Sequence, residues 1–432
     1  MSLLSKNIVL SQLLEKHLDS IASEEGLEAA FIMDAINCGR MVLLANPAHR
    51  GVKPLLIGQP ARVKVNANIG TSPWLNSLPC EMNKLDIAVR AGADTLMDLS
   101  IAGDLAAIRE AMLSNCALPL GTVPLYAVAQ RYIDAGQDPA EFDPEELLAE
   151  IASQARQGVD FMTVHCGLTQ RAAAWGNDDS LRAMGIVSRG GSILARWMHT
   201  HNRENPLLEH YDRVLDIARE YNVTLSLGDG LRPGAGVDAG DAAQWEEVIV
   251  LGHLARRGRE AGVQCMIEGP GHVPLNEVSA QITGIKKLTD NAPLYVLGPL
   301  VSDVCPGYDH IAGAIGGALA VSAGVDFLCY LTPAEHLTLP DAQDVHAGIM
   351  ASRIAAQAGE TALGRPHALA RERNMARARK NLDWPAMRAN VLDPALLDAR
   401  REPHKNEEAC AMCGQFCAIK MKPTDLVAAK HC

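Results

Sequence analysis

Three cysteines, Cys410, Cys413 and Cys417, carry the strongest chemical signal in this sequence. Their spacing brings three thiolates within reach of one centre. Three such ligands hold three irons of a [4Fe–4S] cubane and leave the fourth iron open. A closed zinc site needs a fourth ligand, which Cys432 or His404 can supply. A redox thiol pair is the third reading. A second group comprises Glu268 and His272 in EGPGH and His336 in AEHL. Two neutral imidazoles and a nearby carboxylate suit a zinc-like ion with open positions. Taken singly, each histidine is more often a hydrogen-bonded turn residue than a ligand, and His165 or His310 can serve instead as ligand or proton carrier. The run Ser188-Arg189-Gly190-Gly191-Ser192 joins a cation to flexible backbone N–H groups, and Arg232 in GDGLRPG adds a bidentate cation. Both suit a phosphate or a carboxylate, although a plain glycine turn also accounts for the first.

These residues need a scaffold, and the chain is long enough for a large one. It has 432 residues, 48% of them hydrophobic and 21% charged, with a formal net charge of −12. An acidic chain without a basic run, and with only 4% aromatic residues, argues against a nucleic-acid partner. The N-terminus has no apolar leader core, and the most apolar stretch, 312–325, is too short to span a bilayer. The expectation is a cytoplasmic protein with no membrane partner. Seven cysteines are scattered singly, many of them in apolar runs, the pattern of reduced, buried thiols rather than a disulfide framework.

Eight short apolar runs recur at 63–69, 95–99, 118–123, 161–165, 223–227, 263–267, 294–297 and 327–331, separated by amphipathic stretches such as 144–157, 207–220 and 242–259. Near-continuous apolar strands alternating with helices imply a parallel sheet covered by helices. Eight units suggest an α/β fold, a (β/α)8 TIM-type barrel, with a doubly wound open sheet as the alternative. A further apolar run at 185–188 leaves the strand count open by one. The expected organisation is a helical N-terminal region (1–60), the barrel (61–341), a helical C-terminal domain (342–402) and a cysteine-bearing tail (403–432). Polar residues cluster after each apolar run: Asn66 and Asn68, Met97 and Asp98, Tyr126, His165, Asp229 and Arg232, Glu268 and His272, Asp303 to His310, then Glu335 and His336. In a barrel these ends share one face, the face that carries active sites. The opposite ends read as plainer.

The segments VNANIGTS, GADTLMDLS, GTVPLY, GIVSRGGS, SLGDGLRPG, MIEGPGHVPL, LGPLVSD with PGYDH, LCYLTPAEHL and CAMCGQFC follow one another in order. Together they resemble the radical S-adenosylmethionine (SAM) enzymes typified by the thiamin pyrimidine synthase, from about residue 60 to residue 418. The resemblance implies a homodimer of (β/α)8 barrels whose cysteine tails reach the partner's active site. There Cys410, Cys413 and Cys417 hold a [4Fe–4S] cluster, and SAM is cleaved to a 5′-deoxyadenosyl radical that attacks 5-aminoimidazole ribotide. It implies a second, zinc-like metal on His272 and His336, with Glu268 nearby in a catalytic role. It also implies an external flavodoxin- or ferredoxin-type electron donor. The positions matching substrate contacts are Asn68, Met97, Tyr126, His165, Ser188, Arg189, Gly190, Asp229, Arg232 and Glu268. Several positions depart from the pyrimidine-synthase pattern: IAGD at 101–104, Val304-Cys305, DAGDAAQ at 238–244, Trp74 and Pro79, and Ala127 after Tyr126. Their nearness to the barrel mouth favours a paralogue that converts the same ribotide to 5-hydroxybenzimidazole for cobalamin. The pyrimidine product of thiamin synthesis is the alternative. A zinc-stabilised scaffold, a metal-dependent hydrolase and an iron–sulfur redox sensor leave more of the motif set unexplained.

Overall fold

The computed structural model describes residues 3–421. The chain separates into two compact units, Met1–Glu360 and Thr361–Cys432. The first opens with helices Leu3–Lys6, Ile8–Glu25 and Ala29–Asn37 and a two-stranded antiparallel sheet, β1 (Val42–Leu44) with β2 (Leu55–Ile57). The closed barrel follows: β3 (Lys64–Ile69), β4 (Thr95–Asp98), β5 (Leu120–Thr122), β6 (Phe161–Val164), β7 (Thr224–Leu227), β8 (Cys265–Gly269), β9 (Leu294–Leu297) and β10 (Phe327–Cys329). Every neighbouring pair is parallel, and β10 closes on β3 with Phe327 beside Lys64. The eight apolar runs are the eight barrel strands, and the (β/α)8 architecture excludes the open sheet.

Two expectations are corrected. The 1–60 region is not wholly helical. Its two strands are three residues each, too short for any alternation to show. The run at 185–188 is not a strand. It leads into the helix Arg189–His201, because the buried Ser188 hydroxyl accepts from the Gly191 N–H at 3.2 Å and starts that helix.

Local signals place the covering helices. Asp143 and Asp241 cap the helices Pro144–Gln157 and Ala242–Ala261 by accepting N–H groups of the first turn. Gly158 and Gly262 end them in the left-handed region, φ +114° and +84°, where a side chain would be strained. Inside the barrel, Tyr295 stacks on Phe327 with centroids 4.3 Å apart, and Phe161 meets Phe327 edge-on at 6.4 Å. A Cβ on Gly121 would stand 2.2 Å from Phe161 Cζ, so only glycine lets that ring fill the interior. The helix Ala342–Ala362, expected to open the C-terminal domain, sends Val345 and Ile349 into the same cluster as Val65 and Leu96. The second unit contains the helices Pro366–Asn381, Trp384–Asn390 and Pro394–Arg401. Among the described residues no helix is long and apolar enough to cross a membrane.

The N-terminal strand ends are less plain than they read. Asp94, Asp160 and Asp326 each precede a strand and bind the chain leading into the barrel: Arg62 at 2.7 Å, His49 at 2.7 Å and the Gln59 N–H at 2.6 Å. The His49–Asp160 pair has both side chains fully buried. His49 Nε2 faces the carbonyls of Leu113 and Cys116 at 3.1 and 2.9 Å, so it must donate. Burial pushes the Asp160 carboxyl up, opposed by His49 and by the Asn46 and Leu120 N–H groups that its two oxygens accept; as a carboxylate with both oxygens accepting, it takes the Nδ1 proton as well. Both ring nitrogens donate only in the imidazolium. Burial alone would lower the His49 pKa; the hydrogen bond and charge of Asp160, with the two carbonyls, outweigh it and raise it. The pair's contribution is therefore complete below the unfolded pKa of about 6.5 and is lost as pH rises through the higher folded value. His49→Leu should cost about 3–5 kcal/mol in urea unfolding at pH 6, because a buried carboxylate loses its partner. The gap from the parent protein should narrow as the pH is raised towards 9; a constant gap would rule out the imidazolium.

Candidate active site

The C-terminal ends of the barrel strands surround a cavity of about 100 Å³. Its walls include Asn68 on β3, Met97 on β4 and Glu268 on β8, with Tyr126, His165, Asp229 and Arg232 just beyond β5, β6 and β7. Seven of the ten positions singled out for substrate contact thus share one cavity. The other three, Ser188, Arg189 and Gly190, form the start of the helix Arg189–His201. Gly190 packs directly on the His165 ring, where a Cβ would stand 2.3 Å from Cε1. The Arg189 guanidinium lies 4.8 Å over the Tyr126 ring. The glycine-rich run is therefore a helix N-terminus beside the cavity, a backbone arrangement that favours anions.

Burial controls the electrostatics. It pushes the His165 pKa down to about 3, aided by the Arg232 charge, so the ring is neutral. Its Nδ1 is buried and makes no hydrogen bond among the described residues. Burial raises the Glu268 pKa, opposed by the Thr163 and Ser226 hydroxyls, which donate to Oε1 at 2.7 and 2.8 Å. Burial also drives the Asp229 carboxyl well above its ordinary range, despite an Arg232 Nη1 hydrogen bond of 3.1 Å. For Arg232, burial is outweighed by Asp229, Tyr126 and Glu268, and its pKa rises. The cavity thus combines one strong cation with two carboxyl groups displaced towards protonation, a set able to bind an anion and exchange protons.

Sequence reasoning passed over Tyr295, Cys329 and Thr163, which line the same cavity. Asn66 Nδ2 donates to the Tyr295 hydroxyl at 2.8 Å and to Asn68 Oδ1 at 2.7 Å, while Asn68 Nδ2 reaches Cys329 Sγ at 3.0 Å. Burial lifts the Cys329 thiol to about 12. All three residues sit inside apolar runs and read as core. No local signal separates them from core, because a barrel strand is buried on both faces.

A second cavity, sharing Asn68 and Leu99 with the first, is lined by Lys84, Arg189, Glu335 and His336 among others. The His272 and His336 rings lie 5.4 Å apart. His272 Nδ1 is 2.7 Å from Asp303 Oδ1, and His336 Nδ1 is 2.9 Å from Asp309 Oδ1. Burial opposes the Asp303 charge, but the Gly236 N–H and His272 outweigh it and hold the carboxyl below its usual range. Two imidazoles backed by carboxylates at Nδ1 leave both Nε2 atoms for a metal, the arrangement that orients histidine ligands. Glu268 does not join them. It is held by Thr163 and Ser226, and no group of three or more His, Cys, Asp or Glu side chains is arranged for a metal among the described residues. His310 lies on the helix Asp309–Ala323 and completes no such group either.

In the second unit, Cys410 and Cys413 are exposed, Cys417 is buried, and all three are free thiols. The short turn Gly414–Phe416 separates the last two. The segment before them is tied down by Trp384 Nε1, which donates to the Glu408 carbonyl at 2.9 Å, and by Arg401, which donates to the carbonyls of Glu407 and Ala409. Three free thiols without a fourth on the same short segment fit the donor set of a cluster with one open iron. His404 ends a separate turn, and Cys432 lies outside the described residues.

The Gly190–His165 contact is open to a direct check. Gly190→Ala should cost about 1–3 kcal/mol in urea unfolding by overpacking. Combined with His165→Ala it should recover more than half of that loss. Additive costs would show that the two residues do not meet.

The phosphomethylpyrimidine synthase of Dehalococcoides mccartyi is 50% identical to this chain over 409 residues, 94% of each chain. The enzyme of that name from Methanopyrus kandleri is 49% identical over 407 residues, 93% of this chain and 94% of its own, and that from Desulfotalea psychrophila 47% over 405 residues, 93% of each. A dihydropteroate synthase structure from Coxiella burnetii overlaps 74% of this chain and 99% of its own, at 12% identity and a TM-score of 0.42, and says nothing about chemistry here. Residues 7–424 match the Radical SAM ThiC family, and the chain belongs to that family.

Proposed function

We propose that the protein is a phosphomethylpyrimidine synthase, a radical SAM lyase acting on 5-aminoimidazole ribotide in thiamin biosynthesis. The observation that carries this reading is the division between matched and departing positions. The residues matched to substrate contacts gather at one cavity and the helix start beside it. Trp74, Pro79, Ala127, Val304 and Cys305 do not line that cavity, and Trp74 and Val304 are 96% and 91% exposed. Ile101 touches only the second cavity. Such departures are rim substitutions that leave the reacting groups in place. The names of the relatives favour the same product. The 5-hydroxybenzimidazole reading rests on those departures alone and is the weaker of the two.

Family membership implies a [4Fe–4S] cluster and SAM, which together supply a 5′-deoxyadenosyl radical when bound. We assign the cluster to Cys410, Cys413 and Cys417 and a divalent ion such as zinc to His272 and His336. An external electron donor and a homodimer in which each tail serves its partner complete the proposal. Beside and within the cavity, the N–H groups of Arg189 and Gly190, with Arg232, hold the ribotide phosphate. The neutral His165 presents a hydrogen-bonding nitrogen without adding charge. Glu268 accepts at Oε1 from two hydroxyls, so a proton it takes up resides on Oε2. The apolar floor of Phe161, Phe327 and Tyr295 excludes water from beneath the substrate.

The product decides. Protein reconstituted anaerobically with iron and sulfide, then given ribotide, SAM and dithionite, should yield a phosphorylated hydroxymethylpyrimidine and 5′-deoxyadenosine by chromatography with mass detection. Hydroxybenzimidazole instead would move the enzyme to cobalamin synthesis. A second measurement separates the metals. Alanine at Cys410, Cys413 or Cys417 should remove the iron–sulfur absorbance and SAM cleavage. His272→Ala or His336→Ala should lower the bound divalent metal without bleaching that absorbance; unchanged metal content would sink the second site.

A further inference from the structure

The turn that carries Asp229 and Arg232 into the cavity is held by charged residues that do not line the cavity. Between those two residues stands Leu231, and the peptide groups on both sides of it are gripped. Its N–H donates to Glu247 Oε2 at 2.7 Å, and its carbonyl accepts from Arg182 Nη2 at 2.8 Å. Neither Arg182 nor Glu247 lines either cavity described above. Arg182 is 1% exposed, although its neighbours Leu181 and Met184 are each 55% exposed, so the chain turns this one guanidinium inward from a surface loop. It meets Asp241 through Nε at 2.6 Å and Nη2 at 2.9 Å, a two-point contact that a lysine does not reproduce. Asp238 completes the hold by accepting the N–H groups of Ala183 and Met184 at 2.7 and 2.9 Å. From the other side, Gly191 lies so close to the turn that a Cβ on it would stand 2.3 Å from the Gly230 carbonyl oxygen.

We propose that Arg182 and Glu247 are positioning residues that fix the Asp229–Arg232 turn, and that Arg182 ties this turn to the loop ending in Ser188 and Arg189. Two segments suited to an anion, the helix start at Arg189–Gly191 and the turn bearing Arg232, then hold one geometry through a single buried guanidinium. The inference rests on the proposed ribotide site for its ligand, and on the hydrogen bonds alone for its mechanics. Loss of either grip leaves a buried peptide group unpaired, which the turn relieves by moving. Displacement of about 1 Å at a binding group is enough to spoil orientation. Glu247 acts here as a hydrogen-bond acceptor through Oε2, and the amide oxygen of glutamine supplies the same acceptor, because Oε1 has no hydrogen-bond partner among the described residues.

The test uses the full-length protein and the variants Arg182→Lys, Glu247→Ala and Glu247→Gln, with two readouts. In hydrogen exchange followed by mass spectrometry, Arg182→Lys should speed exchange in both 177–191 and 228–240. Glu247→Ala should speed it in 228–240, and Glu247→Gln should match the parent. In calorimetric titration with 5-aminoimidazole ribotide, Arg182→Lys and Glu247→Ala should weaken binding by about tenfold or more, with Glu247→Gln within about twofold of the parent. Unchanged exchange in Arg182→Lys, or a Glu247→Gln variant as impaired as Glu247→Ala, would overturn the inference. If Arg182→Lys does not fold, the Glu247 pair decides by the same comparison. Failure of the parent to bind ribotide would refute the proposed substrate, and the exchange data would still decide the positioning role.

Discussion

Closure of the barrel is the constraint on which the rest of the molecule depends. Once β10 pairs in parallel with β3, all eight strands run one way and their C-terminal ends meet at one rim. Residues more than 200 positions apart, such as Asn68 and Cys329, then come within hydrogen-bond distance. The same closure places an aromatic layer of Phe161, Phe327 and Tyr295 within the barrel. Polar groups held against that layer lose solvent, so His165 stays neutral and the carboxyls of Asp229 and Glu268 rise.

The two ends of the barrel are both polar, and they differ in how far their polar groups are satisfied. At the N-terminal end, Asp94, Asp160 and Asp326 spend their acceptors on the chain that leads in, and His49 spends both nitrogens. Groups so completely paired stabilise the fold and have nothing left for a ligand. At the C-terminal end His165 Nδ1 has no protein partner, and Arg232 is shared between one carboxylate and the cavity. A buried polar atom without a partner costs free energy, and a ligand that satisfies it recovers that cost on binding. That asymmetry, more than the mere presence of polar residues, marks the active face.

The charged residues behind the site follow the same logic at greater depth. Arg182, Asp241 and Glu247 are not needed to touch a substrate to matter to it, because Leu231 transmits their geometry to the residues on either side. The His272–Asp303 and His336–Asp309 pairs work similarly, with a carboxylate fixing each ring so that its outer nitrogen faces away. In each case a buried or half-buried hydrogen bond sets the direction of a group whose outer atom remains available.

Much of this was legible in the chain itself. Strand-length apolar runs, helix-length amphipathic stretches and polar residues after each run were enough for the barrel and for most of its mouth, because hydrophobic period and turn chemistry are local properties. The motifs and the cysteine spacing were enough for the family. Tertiary structure alone decided the rest. It showed that Tyr295 and Cys329 face the cavity, since inward and outward positions of a strand buried on both faces look alike in sequence. It separated Glu268 from the two histidines, because the Thr163 and Ser226 hydroxyls of β6 and β7 hold its carboxylate inside the barrel. It turned 185–188 from an apparent strand into the approach to a helix, because the Ser188 hydroxyl spends itself on a cap. It also revealed the structural use of Asp94, Asp160 and Asp326. A carboxylate reads the same in sequence whether its partner is a distant backbone or a substrate, and only the folded chain brings that partner to it.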